Sequence, residues 1–150
     1  MYRMDVVLMA DDDADDCDLV ATAFGATPGT DSCSLEFVGN GVELLGSLRG
    51  RGGGDGVGAA SWPKLVLLDL NMPLMDGREA LAEMKDDRRL RRIPVVVFST
   101  SNAAEDMVLC YGLGAAGYIA KPPDFLMLVE TVAGLCRYWH DTVLTPSNGE

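Results

Sequence analysis

The chain is 150 residues long, enough for one domain with a buried core. Hydrophobic residues make up 48% of it, which excludes a disordered polymer, and no apolar run approaches the roughly 18–20 residues that span a bilayer. A formal charge of −11, with no basic patch against it, argues against binding DNA, RNA or anionic lipid. The first residues, Met1 to Asp5, hold one base and then an acid, which is not a secretory pattern, so a cytoplasmic location is expected. Cys17, Cys33, Cys110 and Cys136 are widely separated, with no metal-ligand or redox spacing, and suit a reducing compartment as small packed thiols.

Along the chain, short apolar runs alternate with amphipathic stretches. Val6–Met9, Leu35–Val38, Leu65–Leu68, Val95–Phe98 and Gly117–Ala120 have the character of strands. Three of them are continuously apolar, as strands covered on both faces should be. Helices are expected at about 15–26, 41–49, 77–86, 103–113 and 124–139. Five strand–helix repeats predict an α/β fold, a doubly wound parallel sheet with right-handed crossovers. One domain is expected, with its core over about 5–139 and a loose tail over about 140–150. The glycine-dense stretch 50–61 lacks the Gly-Lys-Ser/Thr of a phosphate cradle and leads into a strand, so it is expected to be a flexible connection far from any site.

The residues that end the strands carry the chemistry. Asp11-Asp12-Asp13 follows the first run, Asp69 the third, Ser99-Thr100 the fourth and Lys121-Pro122 the fifth. In an open parallel sheet the crevice beyond the strands' carboxyl ends is where ligands bind, so these groups should converge. Crowded carboxylates repel, and a hard dication relieves them; Mg²⁺ suits few carboxylates together with phosphate oxygens. Asp11 and Asp12 then serve as the metal pair, with Asp69 as a ligand and as the nucleophile that forms an aspartyl-phosphate. Lys121 would meet the phosphoryl oxygens with positive charge and Ser99 with a hydroxyl, which is the positioning and neutralisation that phosphoryl transfer needs.

Each feature has a plainer reading. The acidic run 11–16 resembles a helix-capping turn, and Asp15 and Asp16 are expected to do that work. A calcium loop fails, because Asp16 stands where glycine is required and Thr22 where glutamate is. Ser101 and Asn102 are better placed than Ser99 to cap the fourth helix. Lys121 alone would be a surface lysine, and Tyr118 alone a packed aromatic. His140 is expected to be a helix-end residue beside the negative pole of the dipole, without metal or phosphohistidine partners.

Taken together, Met9-Ala10-Asp11-Asp12-Asp13, Leu67-Leu68-Asp69-Leu70-Asn71-Met72-Pro73, Met75-Asp76-Gly77, Pro94 to Ser99 and Gly117-Tyr118-Ile119-Ala120-Lys121-Pro122 resemble the receiver domain of bacterial two-component response regulators. The resemblance covers about residues 5–139. It implies a flavodoxin-like (βα)5 fold with strand order 2-1-3-4-5, and phosphotransfer from a phosphohistidine on a sensor histidine kinase or phosphotransfer protein. It also implies that Asp69 is the phosphoacceptor, that the main-chain carbonyl of Asn71 joins the metal, and that Ser99 and Tyr118 form the hydroxyl–aromatic switch beside the lysine, Lys121. Residues 93–101 and 121–125, with Tyr138-Trp139, are similar to a stand-alone subgroup that partners bacteriophytochrome kinases.

On the fifth helix the stripe Phe125, Leu128, Val132, Leu135, Trp139 is expected to cover the sheet. A second stripe, Leu126, Val129, Ala133, Cys136, suggests a homodimer through the fourth helix, fifth strand and fifth helix. Two other function classes compete with a signalling switch. A phosphatase or phosphotransferase working through an aspartyl-phosphate would want an acid where Asn71 stands. A receiver-like module that no longer takes phosphate would lack the acceptor or the lysine, and both are present.

Overall fold

Strands with apolar side chains on both faces can lie only between two helical layers, and the chain builds that arrangement. A computed structural model describes residues 5–31, 33–51 and 62–145. Its elements run β1 (Asp5–Ala10), α1 (Ala14–Gly25), β2 (Cys33–Val38), α2 (Gly41–Arg49), β3 (Pro63–Leu68), α3 (Gly77–Asp86), β4 (Val95–Ser99), α4 (Ala104–Gly112), β5 (Gly117–Ala120) and α5 (Phe125–Cys136). The strands form one parallel sheet in the order β2-β1-β3-β4-β5. The order reverses between β1 and β3, and in such sheets that is where a crevice opens at the carboxyl ends.

The two-residue period of a strand divides the apolar runs between two cores. Leu8, Ala10, Val66, Leu68, Val95 and Val97 face Leu44, Leu45, Leu48, Leu81, Met84 and Cys110 of α2, α3 and α4. Met9, Leu65, Leu67, Val96 and Phe98 face Val20, Ala23, Leu128 and Val132 of α1 and α5. Helix starts are set locally. Asn40 accepts from the Glu43 amide at 2.9 Å, Asp124 from the Leu126 amide at 2.7 Å, and Asp76 closes a reciprocal capping box with Glu79.

Two close approaches hold the β3–α3 loop. The Gly77 amide donates to the Leu70 carbonyl at 2.8 Å, and a Cβ at Gly77 would run into the carbonyl oxygen of Asp69. The Gly41 amide donates to the Met75 carbonyl at 2.9 Å, and a Cβ there would lie 2.7 Å from that oxygen. No other residue type fits either contact without moving backbone.

The C-terminal region differs from expectation. The α-helix stops at Cys136 and widens into a π-type turn over Arg137–Thr142, with the Val143 amide donating to the Tyr138 carbonyl at 2.8 Å. The wider turn brings His140 Nδ1 to 2.5 Å from Asp5 Oδ2, at the edge of the sheet opposite the acidic strand ends. His140 therefore has a carboxylate partner, and residues 140–142 belong to the folded body instead of a loose tail. Phe125, expected to cover the sheet, is 41% exposed at the first residue of α5. In the second stripe, Val129 and Cys136 pack against the core, which leaves Leu126 as its outward-facing member. The glycine-rich stretch 52–61, Met1–Met4 and residues 146–150 lie outside the described residues.

The glycine contacts make opposite predictions for two alanine substitutions. Gly77→Ala should destabilise the fold by about 2 kcal/mol or more, because backbone must move. Gly46→Ala, inside α2 with open space around it, should stabilise by roughly 0.5–1 kcal/mol. Urea denaturation midpoints of the two variants check both.

Candidate functional site

Backbone pairing carries the expected residues to one rim. The Asp11 amide donates to Val38 at 3.0 Å, the Asp69 amide to Ala10 at 2.9 Å and the Lys121 amide to Ser99 at 2.8 Å. These bonds extend the ladders just past the strand ends and place the side chains side by side. Carboxylate oxygens of Asp11, Asp12 and Asp69 all lie within 4.8 Å of one another. Asp11 and Asp69 are buried and Asp12 is exposed, so the cluster opens to solvent on one side. Asn71 is exposed two residues beyond Asp69.

Local amides and one ammonium fix the acids. Asp11 Oδ1 accepts from the Asp13 amide at 2.9 Å, and Asp69 Oδ1 accepts from the Leu70 amide at 2.8 Å. Lys121 Nζ sits 2.6 Å from Asp11 Oδ2, 2.7 Å from Asp16 Oδ2 and 3.5 Å from Asp69 Oδ2. Burial raises the Asp69 carboxyl above the usual range; the charge of Lys121 opposes this and that of Asp11 adds to it. Burial works against the Lys121 charge, but its bonds to Asp11 and Asp16 and the charge of Asp69 outweigh it and hold its pKa above the ordinary lysine value. Burial, and then the charge of Asp11, push the neighbouring Cys17 thiol up to about 11, so it is not a thiolate nucleophile at neutral pH.

Sequence reasoning misassigned two groups here. Asp16 was expected to serve the helix start, yet Asp13 does so, accepting from the amides of Asp15 and Asp16 at 2.9 and 3.2 Å. That leaves the Asp16 carboxylate for Lys121. Ser101, expected to cap α4, makes only a long 3.4 Å contact with the Ala103 amide. It is instead a junction. Its amide donates to the fully buried Ser99 hydroxyl at 3.2 Å, its hydroxyl donates to Asp106 at 2.6 Å, and its carbonyl accepts from the Tyr118 hydroxyl at 2.8 Å. Asp106 in turn receives Arg78 of α3 through two nitrogens, at 3.1 and 2.8 Å.

Three carboxylates beside a buried ammonium, at the mouth of a parallel sheet, form an acidic site for a hard divalent cation. The donor set fits such an ion: all oxygen, part exposed, with excess negative charge.

A family model described as the response regulator receiver domain matches residues 7–133. The chain is 44% identical over 85 residues to the response regulator Rcp1 of Synechocystis, an alignment covering 57% of this chain and 58% of that protein. It thus spans less than two thirds of the length of that curated relative. Among solved structures, the phosphorylated cyanobacterial phytochrome response regulator RcpA superposes with a TM-score of 0.84 and 36% identity, over 95% of this chain and 99% of that one. The Mn²⁺-bound form of Rcp1 gives 0.81 and 34%, over 95% and 99% of the two chains. A response regulator in red light signalling of R. palustris gives 0.82 and 32%, over 95% and 98%.

Because the Asp69 carboxyl is raised in the fold, its ionisation costs stability: the cost is absent below the ordinary carboxylate pKa, grows as pH rises past it and is complete above the raised folded-state value. Asp69→Asn keeps an acceptor for the Leu70 amide and removes the charge, so it should raise the melting temperature in metal-free buffer. A divalent cation should stabilise the wild type and act much less on the variant. Thermal denaturation with and without a chelator reads both effects.

Proposed function

The chain belongs to the response regulator receiver family, and on that premise we propose that Asp69 accepts a phosphoryl group from a phosphohistidine of a partner histidine kinase. The chain is a two-component signalling protein, not a classical enzyme, and its only chemistry in this reading is self-catalysed phosphotransfer and dephosphorylation. The observation that carries the assignment is the juxtaposition of Asp69 with Asp11, Asp12 and Lys121.

In this reading Asp11, Asp12, Asp69 and the main-chain carbonyl of Asn71 would hold Mg²⁺, which would neutralise phosphoryl oxygens when bound. The protein's own groups do the rest. An Asp69 oxygen forms the new P–O bond as the donor's P–N bond breaks. Lys121 meets the incoming oxygens with charge, and Ser99 offers its hydroxyl. Drawing that hydroxyl toward the phosphoryl group loosens its bond from the Ser101 amide. Because Ser101 also holds Tyr118 and Asp106, the loop and α4 respond together.

The kinase is read as a bacteriophytochrome from the phytochrome and red-light relatives above. Cys17 and Cys110 are free thiols, which suits the reducing cytoplasm, and no described helix is long and apolar enough to cross a membrane. A homodimer is assigned to the α4–β5–α5 face. Val108 on α4 and Leu126 on α5 are 73% and 72% exposed, with Tyr111 and Met127 also outward, and β5 is an edge strand between them. Trp139 is not part of that face, because it packs against the core of α1 and α5.

Incubation with a small-molecule phosphodonor and Mg²⁺ should add one phosphoryl group to the wild type and none to Asp69→Asn, by intact mass. Gain by the variant would remove Asp69 from the role. Sedimentation of Val108→Glu and Leu126→Glu tests the dimer; both should shift a phosphorylated dimer toward monomer, and unchanged behaviour discards that face.

A further inference from the structure

We propose that Asp16 is a positioning residue for Lys121, the anchor that keeps the ammonium facing Asp69 once a dication has claimed Asp11. The proposal rests on the reading of Asp69 as phosphoacceptor and adds to it a residue outside the metal cluster.

An ammonium has three N–H directions. In Lys121 two of them meet short acceptors, Asp11 Oδ2 at 2.6 Å and Asp16 Oδ2 at 2.7 Å. The remaining close oxygen, Asp69 Oδ2, is 3.5 Å away, too far for a strong bond but on the side where a phosphoryl group on Asp69 would project. The two anchors differ in one respect. Asp11 belongs to the three carboxylates whose oxygens lie within 4.8 Å of one another, and Asp16 does not.

A dication bound to that trio would therefore act on Lys121 twice. It would draw electron density from Asp11, the tighter of the two anchors, and it would repel the ammonium directly. Lysine carries its charge on a flexible four-carbon stem and readily swings toward water when its partner is lost. Here the side chain is only 10% exposed, and the more open side belongs to the Asp16 carboxylate, which is 32% exposed. Asp16 therefore offsets the metal's repulsion from outside the metal shell. Its own position is set in advance, because its amide donates to the helix-capping Asp13 at 3.2 Å in the first turn of α1. The third N–H direction is then presented to the acceptor without rearrangement as metal and phosphoryl group arrive.

The test uses the full chain, a small-molecule phosphodonor at saturating Mg²⁺, and initial rates of phosphoryl gain by intact mass. Asp16→Ala should be slower than wild type by roughly tenfold or more. Asp16→Glu should recover most of the rate, and Asp16→Asn, which keeps an oxygen acceptor without the charge, should fall between. In a Lys121→Ala background the Asp16→Ala change should have no further effect, because its action runs through the lysine. Circular dichroism and Mn²⁺ binding by equilibrium dialysis should show the fold and the metal site retained in Asp16→Ala. A wild-type or faster rate in Asp16→Ala would overturn the proposal, as would an equal loss with and without Lys121. A wild type that gains no phosphoryl group overturns the function proposed above and this anchor with it.

Discussion

Four carboxylates crowd one rim of the sheet, and a single buried ammonium touches three of them. Like unit charges about 4 Å apart repel by about 4 kcal/mol at the effective dielectric of a protein surface, and each opposite pair gains a similar amount. One lysine cannot balance Asp11, Asp12, Asp16 and Asp69, so the rim stays negative; burial first, and then the charge of Asp11, make Asp69 hold its proton more tightly than an exposed acid would, against the pull of Lys121. The excess charge gives the rim its affinity for cations. It also makes the site sensitive to any group that changes the charge at Asp69, which is what a receiver needs.

An arrangement that opposes its own folding must be held by something else. The middle strands β1, β3 and β4 are buried on both faces, and each fully buried Leu, Val or Phe contributes about 1.5–3 kcal/mol. The strands carrying Asp11, Asp69 and Ser99 thus have the strongest support in the molecule. Gly77 then lets α3 begin directly against the backbone of Asp69, so Asp69 cannot drift with its loop.

This division explains what could be read from the sequence. The strands and the starts of α2 and α3 were legible because they are local: apolar runs bounded by Asp, Gly and Pro. The rim was legible because a parallel sheet aligns the carboxyl ends of its strands whatever the loops do. Asp16 was not, because two acids competed for the start of α1, and the outcome depends on a lysine more than a hundred residues away. The turn at Leu90–Arg92 has one buried apolar residue and no period to detect. The widening after Cys136 interrupts a helical pattern that continues through Trp139. It reflects where His140 and Trp139 find partners, on β1 and against α1, and nothing in the local sequence states that.

The same contrast bears on how a signal would leave the rim. Ser99 is fully buried; Ser101, two residues on, joins it to Tyr118 and Asp106, and through Asp106 to Arg78, by backbone and side chain at once. Releasing its amide from Ser99 changes the position of the carbonyl held by Tyr118 and of the hydroxyl held by Asp106. The Arg78–Asp106 pair ties α4 back to α3, and Gly77 holds α3 against the backbone of Asp69, so α3 and Asp69 share one frame. Motion in α4 is then motion relative to Asp69 itself. The exposed apolar residues of α4, Val108, Leu109 and Tyr111, lie at the far end of that connection.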